Sequence, residues 1–73
     1  MLKELQKILN NDSYLKYYDI NIDLIENSII VEGIVSLYHH KQILNHLLID
    51  FMKENHLKFE IQNNVEVKSS FTD

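Results

Sequence analysis

The spacing of the apolar residues switches between a helical period and a period of two along this chain, and those switches constrain the fold more than any other feature. Leu2, Leu5, Ile8 and Leu9 recur at helical spacing with Lys3, Glu4 and Lys7 between them, which predicts a first amphipathic helix. Asn10-Asn11-Asp12-Ser13 breaks it, and Asp12 or Ser13 can cap a further turn through Tyr14, Leu15, Tyr17 and Tyr18. Ile20, Ile22 and Leu24 then alternate with Asn21 and Asp23, the pattern of a strand with one buried face. Glu26-Asn27-Ser28 supplies turn chemistry, with Asn27 the residue suited to a positive φ, and a second strand runs from Ile29 to Val35, so the pair reads as a β-hairpin.

Ser36 is placed to cap a long second helix, whose stripe is Leu37, His40, Leu44, Leu47, Leu48 and Phe51, broadened by Ile43 and Met52. Asn55 suits the left-handed position that ends such a helix. Leu57, Phe59 and Ile61, then Val65 and Val67, alternate again as a third strand. The order is α-β-β-α-β. Two helices on one face of a three-stranded, mixed sheet would bury both stripes in a two-layer α+β sandwich. The second strand is apolar on both faces and belongs in the middle. If it runs parallel to the third, the long helix between them makes a right-handed crossover.

There is no proline and only one glycine, so nothing divides residues 1–67, which are expected to form one domain followed by a polar tail at 68–73. An apolar content of 45% suffices for a single core. The absence of cysteine excludes disulfides, thiolate metal sites and a cysteine nucleophile. Charge bears on partners. Seven lysines face eleven acids for a net charge of −4, and there is no arginine, so a nucleic-acid partner is not expected. Attraction to anionic lipid is weakened by the same balance, with Lys3, Lys7 and Lys16 the only nearby basic set. The start of the chain is charged rather than apolar, and no apolar run approaches the roughly 20 residues that span a bilayer. The expectation is a chain without signal peptide or transmembrane segment, cytoplasmic unless excised from a larger envelope protein.

Two stretches resemble the BON domain, a module of bacterial envelope and related proteins. Ile29-Ile30-Val31-Glu32-Gly33-Ile34-Val35-Ser36-Leu37-Tyr38 is similar to the family's second strand, with a glycine near its end and a serine opening the long helix. Ile61-Gln62-Asn63-Asn64-Val65-Glu66-Val67 is similar to its last strand, in which an asparagine interrupts alternating aliphatics, here Asn63. In order of elements the likeness covers residues 2–67. It departs at Asn55-His56-Leu57, where the family often has a glycine. The resemblance implies the same α+β fold and a non-enzymatic module that associates with phospholipid or with protein partners. On its own physics Gly33, alone in the most apolar strand, points to close packing of a helix on the sheet, and Asn63, on the inward parity, must find hydrogen-bond partners. Both are assigned structural roles, as is Ser36.

Chemistry has few places to reside. His39, His40, His46 and His56 are the titratable and metal-binding candidates, with Asp50 four residues from His46 on the same face. Two ligands on a helix fall short of the three or four that zinc needs, so no metal and no cofactor is expected, and His40 is read as a partly buried core histidine. Asp23 and Glu32 could face one another across the hairpin, but acid–base work needs a cleft, and no catalytic motif is present. Tyr14, Tyr17 and Tyr18 are read as covering the edge of the core. If Ile22, Val31 and Phe59 face the helices, then Ile25, Ile30 and Ile34 lie on the open face among Asn21, Asp23, Glu32, Lys58, Glu60 and Gln62, an apolar centre with a polar rim. The expected function is a non-catalytic binding module for a protein partner or for self-association through that face. Phospholipid association is the alternative, and a histidine-based metal- or pH-responsive element a further one.

Overall fold

In a computed structural model, which describes residues 1–68, helix α1 spans Leu2–Asn11 and turns Leu5 and Leu9 fully inward. The helix runs through Asn10 and Asn11, and it is Asp12, with extended backbone, that stops it. The Asp12 carboxylate then accepts the N–H groups of Tyr14 (2.9 Å) and Leu15 (3.0 Å), capping a 3₁₀ turn over Leu15–Tyr17. Leu15 is buried in this turn, but Tyr14 and Tyr17 are exposed, so only Tyr18 of the three tyrosines packs on the core.

Strands β1 (Asn21–Ile25) and β2 (Ser28–Glu32) form the hairpin. The positive φ falls on Glu26 (55°) rather than on Asn27, because the first of two loop residues must turn left-handed here. The long second strand is interrupted at Gly33 and resumes as β3 (Ile34–Val35). Helix α2 covers Tyr38–Glu54, burying Leu44, Leu48 and Phe51, with Ile43, Leu47 and Met52 packed beside them. The last strand comes as β4 (Glu60–Asn63) and β5 (Glu66–Val67).

The architecture is the α+β order and mixed sheet anticipated, with the order β1-β2-β4 and β2 central. β1 runs antiparallel to β2, while β4 runs parallel to it, and β3 pairs in parallel with β5 as a two-stranded piece. The two pieces keep one register. Ser28 pairs with Glu60 and Ile34 with Glu66, and Asn64 N–H to Val31 carbonyl (2.8 Å) and Glu66 N–H to Gly33 carbonyl (2.9 Å) bridge the break. Lys68 N–H continues the ladder onto the Val35 carbonyl (2.8 Å), and residues 69–73 of the expected tail lie outside the described residues. Ile29, Val31, Val35 and Val65 enter one core with the buried leucines of both helices.

Three local expectations are corrected. Gly33 has φ 155°, and a Cβ there would lie 3.0 Å from the Asp19 carbonyl oxygen and 3.4 Å from Ile20 Cα. The close approach is therefore of the chain entering β1, not of a helix. Ser36 does not cap α2. Leu37 occupies the N-cap without a side-chain hydrogen bond and is exposed rather than part of the buried stripe, because the Ser36 hydroxyl is engaged elsewhere. At the other end Asn55 stays out of the left-handed region, and His56 takes it with φ 54°. His56 N–H donates to the Lys53 carbonyl (3.3 Å) and Leu57 N–H to the Met52 carbonyl (2.9 Å), the paired bonds of a Schellman motif. Asn55 instead turns its amide back onto the Phe51 carbonyl (2.8 Å). This turn does without the glycine usual in the resembled family.

Candidate functional site

A strand that sends alternate side chains to opposite faces leaves one face of this sheet without helices. Pairing aligns that face in rows: Ile25 with Ser28 and Glu60, Asp23 with Ile30 and Gln62, Asn21 with Glu32, and Ile34 with Glu66. All three isoleucines singled out in the sequence therefore share the open face. Ile25 (51%) and Ile34 (50%) are exposed, while Ile30 in the central strand is half-buried by its neighbours. They do not form one continuous patch. Ile30 and Ile34 stand four residues apart, about 13 Å along the strand, and Glu32 lies between them.

The electrostatics of the face are one-sided. Asp23, Glu32, Glu60 and Glu66 all project from it. The Lys68 ammonium lies 4.0 Å from the Glu66 carboxylate at one end, both largely exposed, and Lys58 is exposed in the approach to β4, where no pairing places it in a row. Asp23 and Glu32 are not a facing pair: Asp23 lies opposite Ile30, and Glu32 opposite Asn21. Asp23 also accepts the N–H of Leu24 (2.9 Å). Among the described residues no enclosed cleft surrounds these carboxylates, which are exposed around separate apolar side chains.

On the covered side, Asn63 does take the inward parity, opposite the buried Val31. Its Oδ1 accepts the N–H of Val65 (3.2 Å), which carries the chain across the gap between β4 and β5 while Val65 buries. That is its structural role.

A second constellation was not legible in the sequence as a unit. Ser36 N–H donates to Tyr18 Oη (3.2 Å), Ser36 Oγ lies 2.7 Å from the same oxygen, and His40 Nδ1 lies 2.6 Å from it. When the tyrosine proton goes to His40, the Ser36 hydroxyl donates to Tyr18. When His40 Nδ1 carries a proton, Tyr18 donates to Ser36 instead. The knot is thus satisfied with either tautomer of the imidazole. The Tyr14 ring packs against His40 at a tilt of 41° with ring centroids 5.5 Å apart, and His39 meets the Tyr14 ring edge-on at 6.3 Å. The spacing of Ser36 and His40, four residues apart, was the only available signal; Tyr18, eighteen residues upstream of Ser36, was not. The serine oxygen faces the tyrosine rather than the imidazole, so the arrangement is a tie between the chain entering β1 and the start of α2, not a nucleophile with its base.

The other histidines do not converge. His39, His46 and His56 are exposed, as is Asp50, and among the described residues no group of three or more His, Asp or Glu is placed to hold a metal ion. No helix among those residues is long and apolar enough to cross a membrane. No protein-family model, curated protein or solved structure matches the chain.

Proposed function

We propose that this chain is a non-catalytic binding module whose open sheet face docks a protein partner carrying basic side chains beside apolar ones. The observation that carries the reading is the composition of that face: Ile25, Ile30 and Ile34 set in rows with Asp23, Glu32, Glu60 and Glu66. Apolar side chains separated by like charges suit an amphipathic segment that brings lysine or arginine to the carboxylates and aliphatic groups to the isoleucines. The same charges argue against face-to-face self-association, which would set four carboxylates of one copy against four of another. The resemblance to the BON domain supports the same class, a module that binds rather than catalyses. Its lipid role fits this face poorly, because anionic headgroups would meet carboxylates.

The test is a titration of the isotope-labelled chain with a synthetic peptide of alternating lysine and isoleucine, followed by NMR at low and high salt. Shifts confined to residues 21–34 and 60–66, weakened by salt and lost in the Ile25→Thr, Ile30→Thr, Ile34→Thr variant, are expected. Shifts centred on the helices would refute the proposal. So would a concentration-dependent dimer abolished by Ile30→Thr, which would restore self-association, or salt-sensitive pelleting with anionic vesicles that the isoleucine variant abolishes, which would assign the face to lipid.

A further inference from the structure

Along the flank of α2 that borders β4, Tyr38, Lys41 and Asn45 follow one another at spacings of three and four, and Gln42 stands four residues from Tyr38 and three from Asn45. Together with His46 and with Asn63 from β4 they line a groove of about 340 Å³. Its chemistry is opposite to that of the open sheet face. None of the lining residues is acidic, in a chain with eleven acids and seven lysines, and its charged or chargeable groups are the Lys41 ammonium and the His46 imidazole. Asn63 is oriented by the fold: its Oδ1 is held by Val65 N–H, which turns its NH₂ group out as a donor. The side chains of Lys41, Gln42, Asn45 and His46 make no hydrogen bond or ion pair with other described residues. Six donor-bearing side chains from a helix and a strand thus border one concavity, with their donors uncommitted among the described residues.

We propose that this groove binds the phosphate group of a small phosphorylated molecule. A tetrahedral dianion offers acceptors in several directions, which matches donors arriving from two elements. Lysine serves phosphate as a point charge, and Lys41 supplies one at this groove. The volume sits at the lower end of ligand sites, which span roughly 300–1,000 Å³, so it suits a phosphate with a short carbon body. The site is separate from the sheet face that takes a protein partner and stands or falls independently of it.

The experiment is an NMR titration of the full chain with inorganic phosphate and with glycerol phosphate, at constant ionic strength held by chloride. Saturable shifts of the Lys41, Asn45 and His46 amides and of the Asn63 side-chain NH₂ are expected. Asn63→Asp keeps an acceptor for Val65 N–H but replaces the donor with a negative charge, and Lys41→Gln removes the cation without touching the core. Each should weaken binding at least tenfold while leaving the thermal midpoint nearly unchanged. Vesicles containing phosphatidic acid distinguish a lipid phosphate from a soluble one: binding of both, with the same variant response, assigns the groove to a lipid headgroup as the phosphate source. Shifts that rise linearly without saturation, or equal affinities in the parent and both variants, overturn the proposal.

Discussion

The two faces of the sheet are built from the same strands and differ in almost everything else. Toward the helices, Ile22 lies opposite Val31, and Leu24 opposite Ile29, which in turn pairs with Ile61. Ile29 and Val31 are fully buried there. On the other face every apolar residue of a row sits beside a polar one. Adjacent residues of one strand, Ile29 and Ile30, thus have the same side chain in opposite surroundings. The contrast shows that β-branched residues in this chain serve two ends. Some supply the core, and others satisfy the strand's preference for stiff side chains while remaining available at the surface.

The sharpest way to break that comparison is to truncate both neighbours. Ile29→Ala removes fully buried methyls from the core and is expected to cost about 3 kcal/mol. Ile30→Ala, half-buried on the open face, should cost about 1 kcal/mol or less. Urea denaturation with an unchanged m-value measures both. Equal costs would mean that the open face is covered in solution, for instance by a second copy.

Gly33 marks where the three-stranded part gives way to the two-stranded part. A side chain there would press on the Asp19 carbonyl in a backbone conformation that L residues rarely adopt. Gly33→Ala should therefore cost about 2 kcal/mol, read from the same denaturation curves. A loss of under a few tenths would show that the chain entering β1 can move aside. The break in the sheet would then be a soft joint rather than a fixed one.

The Tyr18 tie fastens that same entering chain to the start of α2. Tyr18→Phe keeps the ring on the core but leaves Ser36 and His40 without their shared partner, at an expected cost of about 1.5 kcal/mol. Protection of the Ser36 amide against hydrogen exchange should fall along with it, because that N–H donates to the lost hydroxyl. An unchanged exchange rate would assign the amide's protection to the surrounding fold instead.

The period of the apolar residues carried the element order, the central place of β2 and the inward parity of Asn63, because burial on one face is written directly into alternation. The identity of the residues that absorb unusual backbone angles was not legible. Asn27 and Asn55 are the better left-handed residues by type, yet Glu26 and His56 take the positive φ. Turn geometry is set by where the strands and the helix end, and those ends depend on tertiary pairing. Ser36 looked like a helix cap for the same reason: its sequence position is right, but Tyr18, brought in from the other side of the hairpin, competes for its hydroxyl. Of the open face, the three isoleucines and most of the acids were legible from parity. Their separation into rows needed the register, which alternation alone does not give.

His56 offers the smallest and most specific test of that lesson. The Schellman bonds at the end of α2 are complete, and Leu57 and Met52, which share one of them, both pack against the core. The position therefore demands a left-handed residue whatever its type. Histidine tolerates that region better than most residues, but glycine enters it without steric cost. Against this stands the larger freedom glycine has in the unfolded chain. The balance favours His56→Gly by about 0.5 kcal/mol, a rise of about 3 °C in the thermal midpoint for a chain this size. His56→Val should move the midpoint down, since a β-branched side chain is least at ease with positive φ. If glycine lowers the midpoint as valine does, then the imidazole makes a stabilising contact of its own, and the turn is held by its side chain rather than by the backbone pattern alone.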